Sequence, residues 1–427
     1  MFKFDHKNLK IKNKNINKSK KFASINITSD WAPINNDSSD SMINKKEKYY
    51  GDLYEYFKKG DLNVTNLETV IDNKQRKFSK NALRFINNSK ILNSLNSINT
   101  NLVCLANNHI MDNGVIGLKT TLKYLKKNKI NHVGAELSHK KIYKPFLFHK
   151  NNQKIAVINT SEGEEANEKY NNHIGSSDIE SYKVIDQIRN CKSKGYLTIL
   201  IVHAGVEYIP VPPPYIRNIY KSFVEEGADL VVGHHPHVSQ GFEIYKNVPI
   251  FYSLGNFTMW KKNLRRNCYQ SFFLNIDVQN NKVSKINLVP FQINRDSLNL
   301  ISLNKFRKYI IELNKFLLKS DKIWNAYLNR KNSKGSLIAE YFSFFYNFDE
   351  FKYQAINKYT NLSRKYSDLD YLKNESNENH IYDHILDRWQ IKNNINLLSL
   401  FRNVFYPLHR IWFMIKKIFK TLKNKTL

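Results

Sequence analysis

Short apolar runs alternate along the chain with longer segments whose apolar residues recur every three to four positions. Apolar residues in unbroken or alternating runs predict strands at residues 23–30, 61–65, 102–106, 155–158, 197–202, 229–232, 249–254, 271–278 and 285–289. Helical spacing predicts helices at residues 46–59, 91–98, 115–127, 179–194 and 215–226. Strands that alternate with helices indicate a layered α/β fold. Unbroken apolar strands indicate sheets that are buried on both faces.

The same pattern divides the chain into three parts. Residues 1–21 mix Lys and Asn with isolated Ile, which predicts a basic, disordered tail. Residues 22–299 carry the alternating strands and helices and form the predicted main domain. Residues 300–427 are rich in Lys, Asn and aromatic residues and predict a mainly helical, basic extension.

The chain shows no signal peptide and no apolar segment long enough to span a bilayer, which predicts a cytoplasmic protein. Residues 404–422 place apolar residues on one helical face, with Lys residues beside them. A basic amphipathic helix of this kind lies in the interface of an anionic membrane, so residues 404–427 predict peripheral attachment to its inner face. The same apolar face fits packing on the protein's own core, and the sequence leaves both interpretations open.

Charge and cysteine content narrow the function classes only modestly. The 427 residues carry a formal net charge of +30, which favours an acidic partner such as an anionic polymer or a phosphorylated precursor. Lys is spread along the chain and forms no recognition module, so specific nucleic-acid binding is only a distant third interpretation. Cys104, Cys191 and Cys268 are far apart and fit a reducing compartment.

Three histidines within four residues follow one predicted strand. The strand at 229–232 runs into Gly233 and then into His234, His235, Pro236 and His237. Because a single residue separates His235 from His237, an extended loop can point both imidazoles the same way, which suits Zn, Mn or Fe. A turn or a solvated loop would also accommodate a single histidine, but other strand ends in this chain carry matching chemistry.

Polar side chains follow four further predicted strands. Following the chain, these residues are Asp30, then Asn66 and Glu68, then Asn108 and His109, and finally His203. Ligands of α/β sheets bind beyond the carboxyl ends of strands, so we expect these groups to meet. Such an oxygen and nitrogen set holds two divalent ions about 3.5–4 Å apart, and Glu68 is the best candidate for the bridging ligand. A metal-activated water is then expected to attack, and His109 to protonate the leaving group.

Several sequence blocks, all in order, resemble CapA-type proteins of poly-gamma-glutamate capsule biosynthesis, a branch of the calcineurin-like metallophosphoesterases. The blocks are Ser29-Asp30, Asn66-Leu67-Glu68, Asn107-Asn108-His109 with Asp112 and Gly114, and residues 203–208, 233–237 and 252–257. The resemblance covers residues 22–295 and implies a β-sandwich flanked by helices, with a dinuclear metal site at the strand ends. It also implies a role in the synthesis or export of an anionic surface polymer.

The chain departs from that pattern at several positions. Asp30 is followed by Trp31 and Ala32 where the wider superfamily has Asp-x-His, so one histidine ligand is missing. Asn66-Leu67-Glu68 replaces the superfamily's Gly-Asp, which leaves both Asn66 and Glu68 as candidates for the ligand. The predicted metal ligands are therefore Asp30, Asn66, Glu68, Asn108, His203, His235 and His237.

Two functions fit these observations. The first is a dinuclear-metal hydrolase that cleaves a phosphoester or related bond in a cell-envelope polymer or its lipid-linked precursor, with His109 and Asn108 in catalytic roles. The second is a non-catalytic, metal-binding accessory of a membrane complex for polymer synthesis or export. The side chains expected to face the substrate are His234, Glu207, Tyr208 and Asn256.

Overall fold

The computed structural model describes residues 1–16, 22–33, 41–72, 85–163, 166–261, 266–321 and 323. Its strands are, in chain order, β1 (Phe2–Asp5), β2 (Lys10–Asn13), β3 (Ala23–Trp31), β4 (Leu62–Leu67), β5 (Val70–Ile71), β6 (Ile86–Asn87), β7 (Leu102–Cys104), β8 (Asn131–Val133), β9 (Ala135–Glu136), β10 (Phe146–Lys150), β11 (Gln153–Ser161), β12 (Gly175–Ser176), β13 (Leu197–His203), β14 (Leu230–His234), β15 (Phe242–Tyr245), β16 (Val248–Phe251), β17 (Gln270–Gln279), β18 (Lys282–Ile293) and β19 (Leu298–Leu300). Its helices are α1 (Lys46–Tyr50), α2 (Tyr54–Lys59), α3 (Leu92–Ser97), α4 (Gly114–Lys127), α5 (His139–Ile142), α6 (Tyr182–Ser193), α7 (Pro214–Glu225) and α8 (Leu303–Leu318). The α/β class predicted from the sequence is confirmed.

Two large sheets organise these elements. The first has nine strands, in the order β1-β2-β18-β17-β3-β4-β7-β8 with β19 paired to β18. The second has six strands, in the order β10-β11-β13-β14-β16-β15. Strands β3, β4, β7 and β8 run parallel in the first sheet, and β11, β13, β14 and β16 run parallel in the second. In each sheet, the carboxyl ends of these parallel strands therefore lie together on one side.

The core lies between the two sheets. Ile25 and Ile27 of β3 belong to the same buried cluster as Ile199 and Ile201 of β13. Because side chains alternate along a strand, residues two positions apart share one face of their sheet. The inner faces of the two sheets therefore pack against each other, as in a sandwich.

Helices cover the outer face of the first sheet. Val103 and Leu105 belong to a second buried cluster with Leu92 of α3 and Leu118 of α4. Cys104, between them in sequence, faces the cluster that lies between the sheets. The predicted strand at 102–106 is apolar throughout because both of its faces are buried.

The N-terminal residues differ from the prediction. Strands β1 and β2 form an antiparallel hairpin, and β2 pairs with β18 at the edge of the first sheet. Leu9 and Ile11 are fully buried there. The predicted disordered tail is therefore wrong for residues 1–16, because the hairpin pairs with β18 and buries Leu9 and Ile11 against the core. Residues 17–21 lie outside the described part.

The beginning of the predicted extension also belongs to the main core. Phe306, Ile310 and Leu313 of α8 lie in the cluster between the sheets, at the spacing of one helical face. The predicted boundary after residue 299 therefore falls inside one packed unit, because β19 and α8 both pack on it. None of the described helices has the length and apolar character needed to cross a membrane. The predicted amphipathic stretch at 404–422 lies outside the described residues.

Candidate metal centre

Strands of both sheets bring their carboxyl ends to one junction. From the first sheet, Asp30 lies near the end of β3 and Asn66 near the end of β4, and the two are paired across the sheet. From the second sheet, His203 ends β13 and His234 ends β14 beside it. The segment that follows β16 contacts the first sheet here, because the backbone N–H of Phe257 donates to the carbonyl oxygen of Asp30 at 2.9 Å. The strand-end residues of the sequence therefore meet in space.

Two groups of three metal-ligand side chains lie at this junction, and all of them are buried. Glu68, His203 and His235 form the first group, with their ligand atoms within 4.8 Å of one another. Asp30, Glu68 and His237 form the second group under the same limit. Glu68 Oε1 lies 3.5 Å from His203 Nε2 and 3.7 Å from His237 Nε2. Glu68 thus connects the two groups.

The carboxylate of Glu68 stands out electrostatically. Both of its oxygens are buried and have no hydrogen-bond partner among the described residues. Its ion-pair contacts are with His203 and His237, which are themselves ligand candidates, and a buried carboxylate that makes no hydrogen bond is typical of a metal ligand. The chemistry of the donor set, two carboxylates with three imidazoles, fits divalent ions of the Zn, Mn or Fe class.

Asn66 has a different role from Glu68 in this arrangement. Its amide Nδ2 donates to Asp30 Oδ1 at 2.7 Å, and its Oδ1 accepts from Asn107 Nδ2 at 3.3 Å. Both ends of the amide are therefore occupied by neighbouring side chains. Of the two candidates that the sequence left open, this arrangement favours Glu68 as the ligand and Asn66 as a support for Asp30.

The imidazoles are held by neighbouring side chains. Asn256 Nδ2 donates to the carbonyl oxygen of Cys268 at 3.2 Å, so Asn256 Oδ1 is the acceptor for His237 Nδ1 at 2.9 Å. The proton of His237 then lies on Nδ1, which leaves Nε2 as the ligand atom facing Glu68. Asn108 Oδ1 lies 3.0 Å from His203 Nε2, so the predicted amide ligand also reaches the junction.

The electrostatic balance of the junction favours a cation. Burial by itself would raise the pKa of Asp30, but His203, His234 and His237 hold it well below its usual range. Burial lowers the pKa of His203, yet the charges of Glu68 and Asp30 raise it to about 9. The two buried carboxylates thus stabilise a positive charge on the neighbouring imidazole. The same negative charges attract a divalent cation.

His109 lies beside the two groups and has its own partners. Its Nδ1 lies 2.9 Å from Asp112 Oδ2, and its ring stacks on Phe85 with the centroids 4.1 Å apart. Burial lowers the pKa of His109, but the hydrogen bond to Asp112 and the charge of Glu68 together raise it above its ordinary value. An imidazole whose pKa is raised next to the donor groups is suited to give a proton.

Two residues of the histidine loop have positive backbone φ angles. His235 has φ +95° and His237 has φ +58°, a conformation that costs non-glycine residues of order 1–3 kcal/mol and clusters at functional sites. Gly233, just before the loop, has no room for a side chain: a Cβ there would lie 2.0 Å from the carbonyl oxygen of Tyr252. Glycine therefore allows β14 to approach its neighbour closely enough to place both histidines.

The side chains predicted to face the substrate lie in different environments. His234 is fully buried at the end of β14, where burial lowers its pKa to about 4. Tyr208 is half-buried, with its ring centroid 5.7 Å from that of His237. No hydrogen bond or ion pair joins Glu207 to the described residues of the junction. Substrate contact by these residues stays a prediction.

Sequence reasoning missed Glu162, which supports the loop after His203. Glu162 Oε2 accepts from the backbone N–H of Gly205 at 2.9 Å, and its Oε1 accepts from Tyr215 Oη at 2.8 Å. It directly follows β11, so the same strand-end rule would have found it. The roles of Asn107 and Asp112 were also missed, because only their neighbours in space reveal them.

Two curated relatives show where the chain is similar to known proteins. It is 32% identical over 198 residues to the capsule biosynthesis protein CapA of Bacillus anthracis, which covers 45% of this chain and 48% of that protein. It is 31% identical over 206 residues to the PGA biosynthesis protein CapA of Bacillus subtilis (strain 168), covering 47% of this chain and 54% of that protein. The chain thus spans about half the length of the curated relatives it matches.

Similarity to solved structures is weaker, and similarity to a family is clear. A hypothetical protein from Thermus thermophilus aligns with a TM-score of 0.42 and 10% identity, covering 64% of this chain and 100% of that one. That score is too low to carry an argument. Residues 23–260, more than half of the chain, match the family described as bacterial capsule synthesis protein PGA_cap. The chain therefore belongs to the PGA_cap family of bacterial capsule synthesis proteins.

Proposed function

We propose that this chain is a metal-dependent hydrolase of capsule or cell-envelope polymer synthesis, acting on a phosphoester or related bond. The observation that carries the proposal is Glu68, a buried carboxylate without a hydrogen-bond partner among the described residues and shared by two donor groups. If the residue served only the folded core, an apolar side chain of similar volume would give equal or higher stability.

The residues that would hold two divalent ions are Asp30, Glu68, His203, His235 and His237, with Asn108 as a sixth ligand. When bound, such ions polarise a substrate oxygen and lower the pKa of a water so that it can attack at neutral pH. Asn66, Asn107 and Asn256 orient the ligands around them, as their hydrogen bonds support. This ligand set, with its donors at strand ends between two packed sheets, supports a calcineurin-like metallophosphatase arrangement.

The chain's own acid in this proposal is His109. Asp112 fixes the ring through Nδ1, so Nε2 is the atom that would hold the transferable proton. Phe85 restrains the ring by stacking on it, and its backbone N–H holds the Asp112 carboxylate at 2.6 Å. His109 would then protonate the leaving group of an acidic polymer or phosphorylated precursor.

The experiment compares the full chain with His109→Ala, using p-nitrophenyl phosphate and bis(p-nitrophenyl) phosphate after loading with Mn²⁺ or Zn²⁺. Loss of the acid is expected to lower turnover by about 10²-fold or more, while the metal content stays unchanged. His149→Ala is the matched control, because His149 is an exposed histidine of β10. Unchanged turnover in His109→Ala would remove His109 from the acid role.

The second candidate is a non-catalytic metal-binding accessory of a polymer synthesis or export complex. It is favoured by Ala32, which stands where the wider superfamily's pattern has a histidine ligand. A wild-type protein that retains bound metal yet turns over no phosphoester, while metal removal lowers its melting temperature, would support this candidate over the hydrolase.

Peripheral attachment to an anionic membrane through residues 404–427, in a cytoplasmic protein, is a proposal from the sequence alone. Liposomes with and without anionic lipid test it, with the full chain compared against a chain that ends at residue 403. Binding that depends on anionic lipid and is lost on truncation supports attachment. Binding unaffected by truncation contradicts it.

A further inference from the structure

A second histidine and carboxylate cluster lies outside the strand-end junction. It consists of His139 at the start of α5, Glu168 in a single 3-10 turn, and His173 in the loop before β12. These segments flank the small two-stranded sheet of β9 and β12. None of the three residues belongs to the sequence blocks that carry the family resemblance.

The geometry of this cluster is that of three converging ligands. Glu168 Oε2 lies 2.7 Å from His139 Nδ1 and 3.1 Å from His173 Nδ1. The two imidazole centroids are 4.6 Å apart. Tetrahedral zinc with bonds of about 2.0–2.1 Å separates its ligand atoms by about 3.3 Å, so the distances of Glu168 Oε2 from the two imidazole nitrogens would open by about 0.6 Å and about 0.2 Å to admit the ion.

The cluster is buried on the side of Glu168 and exposed to solvent on the side of His173. The Glu168 side chain is only 7% exposed, whereas that of His173 is 69% exposed. Tyr143 Oη donates to Glu168 Oε1 at 3.0 Å and so turns Oε2 towards the two histidines. Burial raises the pKa of Glu168, but hydrogen bonds from His139, His173 and Tyr143 lower it below its ordinary value, which keeps the carboxylate charged.

We propose that His139, Glu168 and His173 bind one transition-metal cation of the zinc class, separately from the strand-end junction. Two imidazole nitrogens with one carboxylate oxygen form a set that zinc accepts with a fourth, open position. The ion would tie the loops on either side of β9 and β12 together, since its ligands come from segments 29 residues apart at His139 and Glu168.

Lys183 of α6 opposes this ion and gives the proposal a sharp test. Its ammonium contacts Nε2 of His139, so in the metal-free site the imidazole proton lies on Nδ1. Metal binding through Nδ1 requires that proton to move to Nε2 and Lys183 to turn away. Lys183→Met removes this competing donor and is expected to strengthen metal affinity by about tenfold, within the range of outer-shell effects.

The experiment measures zinc content of the full chain by elemental analysis, with Co²⁺ absorption as a second readout of tetrahedral ligation. His173→Ala is expected to lose about one ion per chain and to weaken Co²⁺ binding by more than about 100-fold. Because His173 is exposed, this variant is expected to fold. His132→Ala is the matched control: His132 pairs with Glu136 at 3.1 Å, belongs to none of the three-residue donor groups and should leave the metal content unchanged.

Three outcomes decide the proposal. The proposal is supported if one bound metal ion per chain is lost in His173→Ala, retained in His132→Ala and bound more tightly in Lys183→Met. A wild-type metal content in His173→Ala overturns it. The His235→Ala, His237→Ala double variant separates the two centres, because it should keep the equivalent that depends on His173; loss of every ion in that variant also overturns the proposal.

Discussion

Glu68→Gln is expected to release the metal of both donor groups at once, because Glu68 is the residue they share. The substitution keeps the size of the side chain and removes its charge. His235→Ala, by contrast, changes only the group of Glu68, His203 and His235. We therefore expect Glu68→Gln to lower the metal content by about two ions per chain and His235→Ala by about one.

The size of the stability effect follows from mass action. At a metal concentration about 100 times the dissociation constant, each site stabilises the folded chain by about 2.7 kcal/mol. If the loss of the carboxylate weakens binding about 10⁴-fold, each site is about 1% occupied at the same concentration and stabilises the folded chain by less than about 0.1 kcal/mol. An unfolding entropy of about 2.1 cal/mol/K per residue gives a domain of about 300 residues a shift of about 1.6 °C per kcal/mol, so a shift of about 4 °C per site falls to nearly zero.

The assay is thermal unfolding of the full chain with and without Mn²⁺ or Zn²⁺, beside elemental analysis of the same samples. Glu225→Gln is the matched control, because Glu225 is a carboxylate of α7 that pairs with Lys246 at 2.9 Å and belongs to neither donor group. This control variant should keep the wild-type metal content and the wild-type metal-induced shift in melting temperature. A wild-type metal content and thermal shift in Glu68→Gln would refute the argument that Glu68 is the shared ligand.

Three further predictions concern single residues. Asp112→Asn removes the charge and hydrogen bond that raise the pKa of His109, so His109 should titrate at a lower pH in NMR spectra; an unchanged titration would contradict the assigned pairing. Gly233→Ala should destabilise the fold by about 1–3 kcal/mol in urea unfolding and release metal, because the added Cβ would clash with the backbone oxygen of Tyr252. Wild-type stability would show that the strands can separate there. Cys104 and the other two cysteines are buried, and burial raises the pKa of Cys104 far above its ordinary value, so a thiol reagent such as DTNB should label them only after unfolding; fast labelling of the native chain would be at odds with this packing.

The central strands and main helices were predictable because their hydrophobic patterns are strong. The apolar run at 197–202 became β13, and the helical period at 115–127 became α4. The edge strand β10 was not predicted, because its residues Phe146–Lys150 are partly or fully exposed and its apolar run is only three residues long. Strands β1 and β2 were missed for a similar reason, since edge strands bury only a few side chains.

The residue types and order of the strand-end site were determined by the sequence alone, because parallel strands align their carboxyl ends whatever the details of packing. Tertiary structure decided the rest. Asn66 and Glu68 are two positions apart on the same face, and only the neighbours Asp30 and Asn107 show that the amide is occupied while the carboxylate is not. The cluster around Glu168 was not predicted from the sequence, because His139 lies 29 residues before Glu168 and only the fold brings the two side chains together.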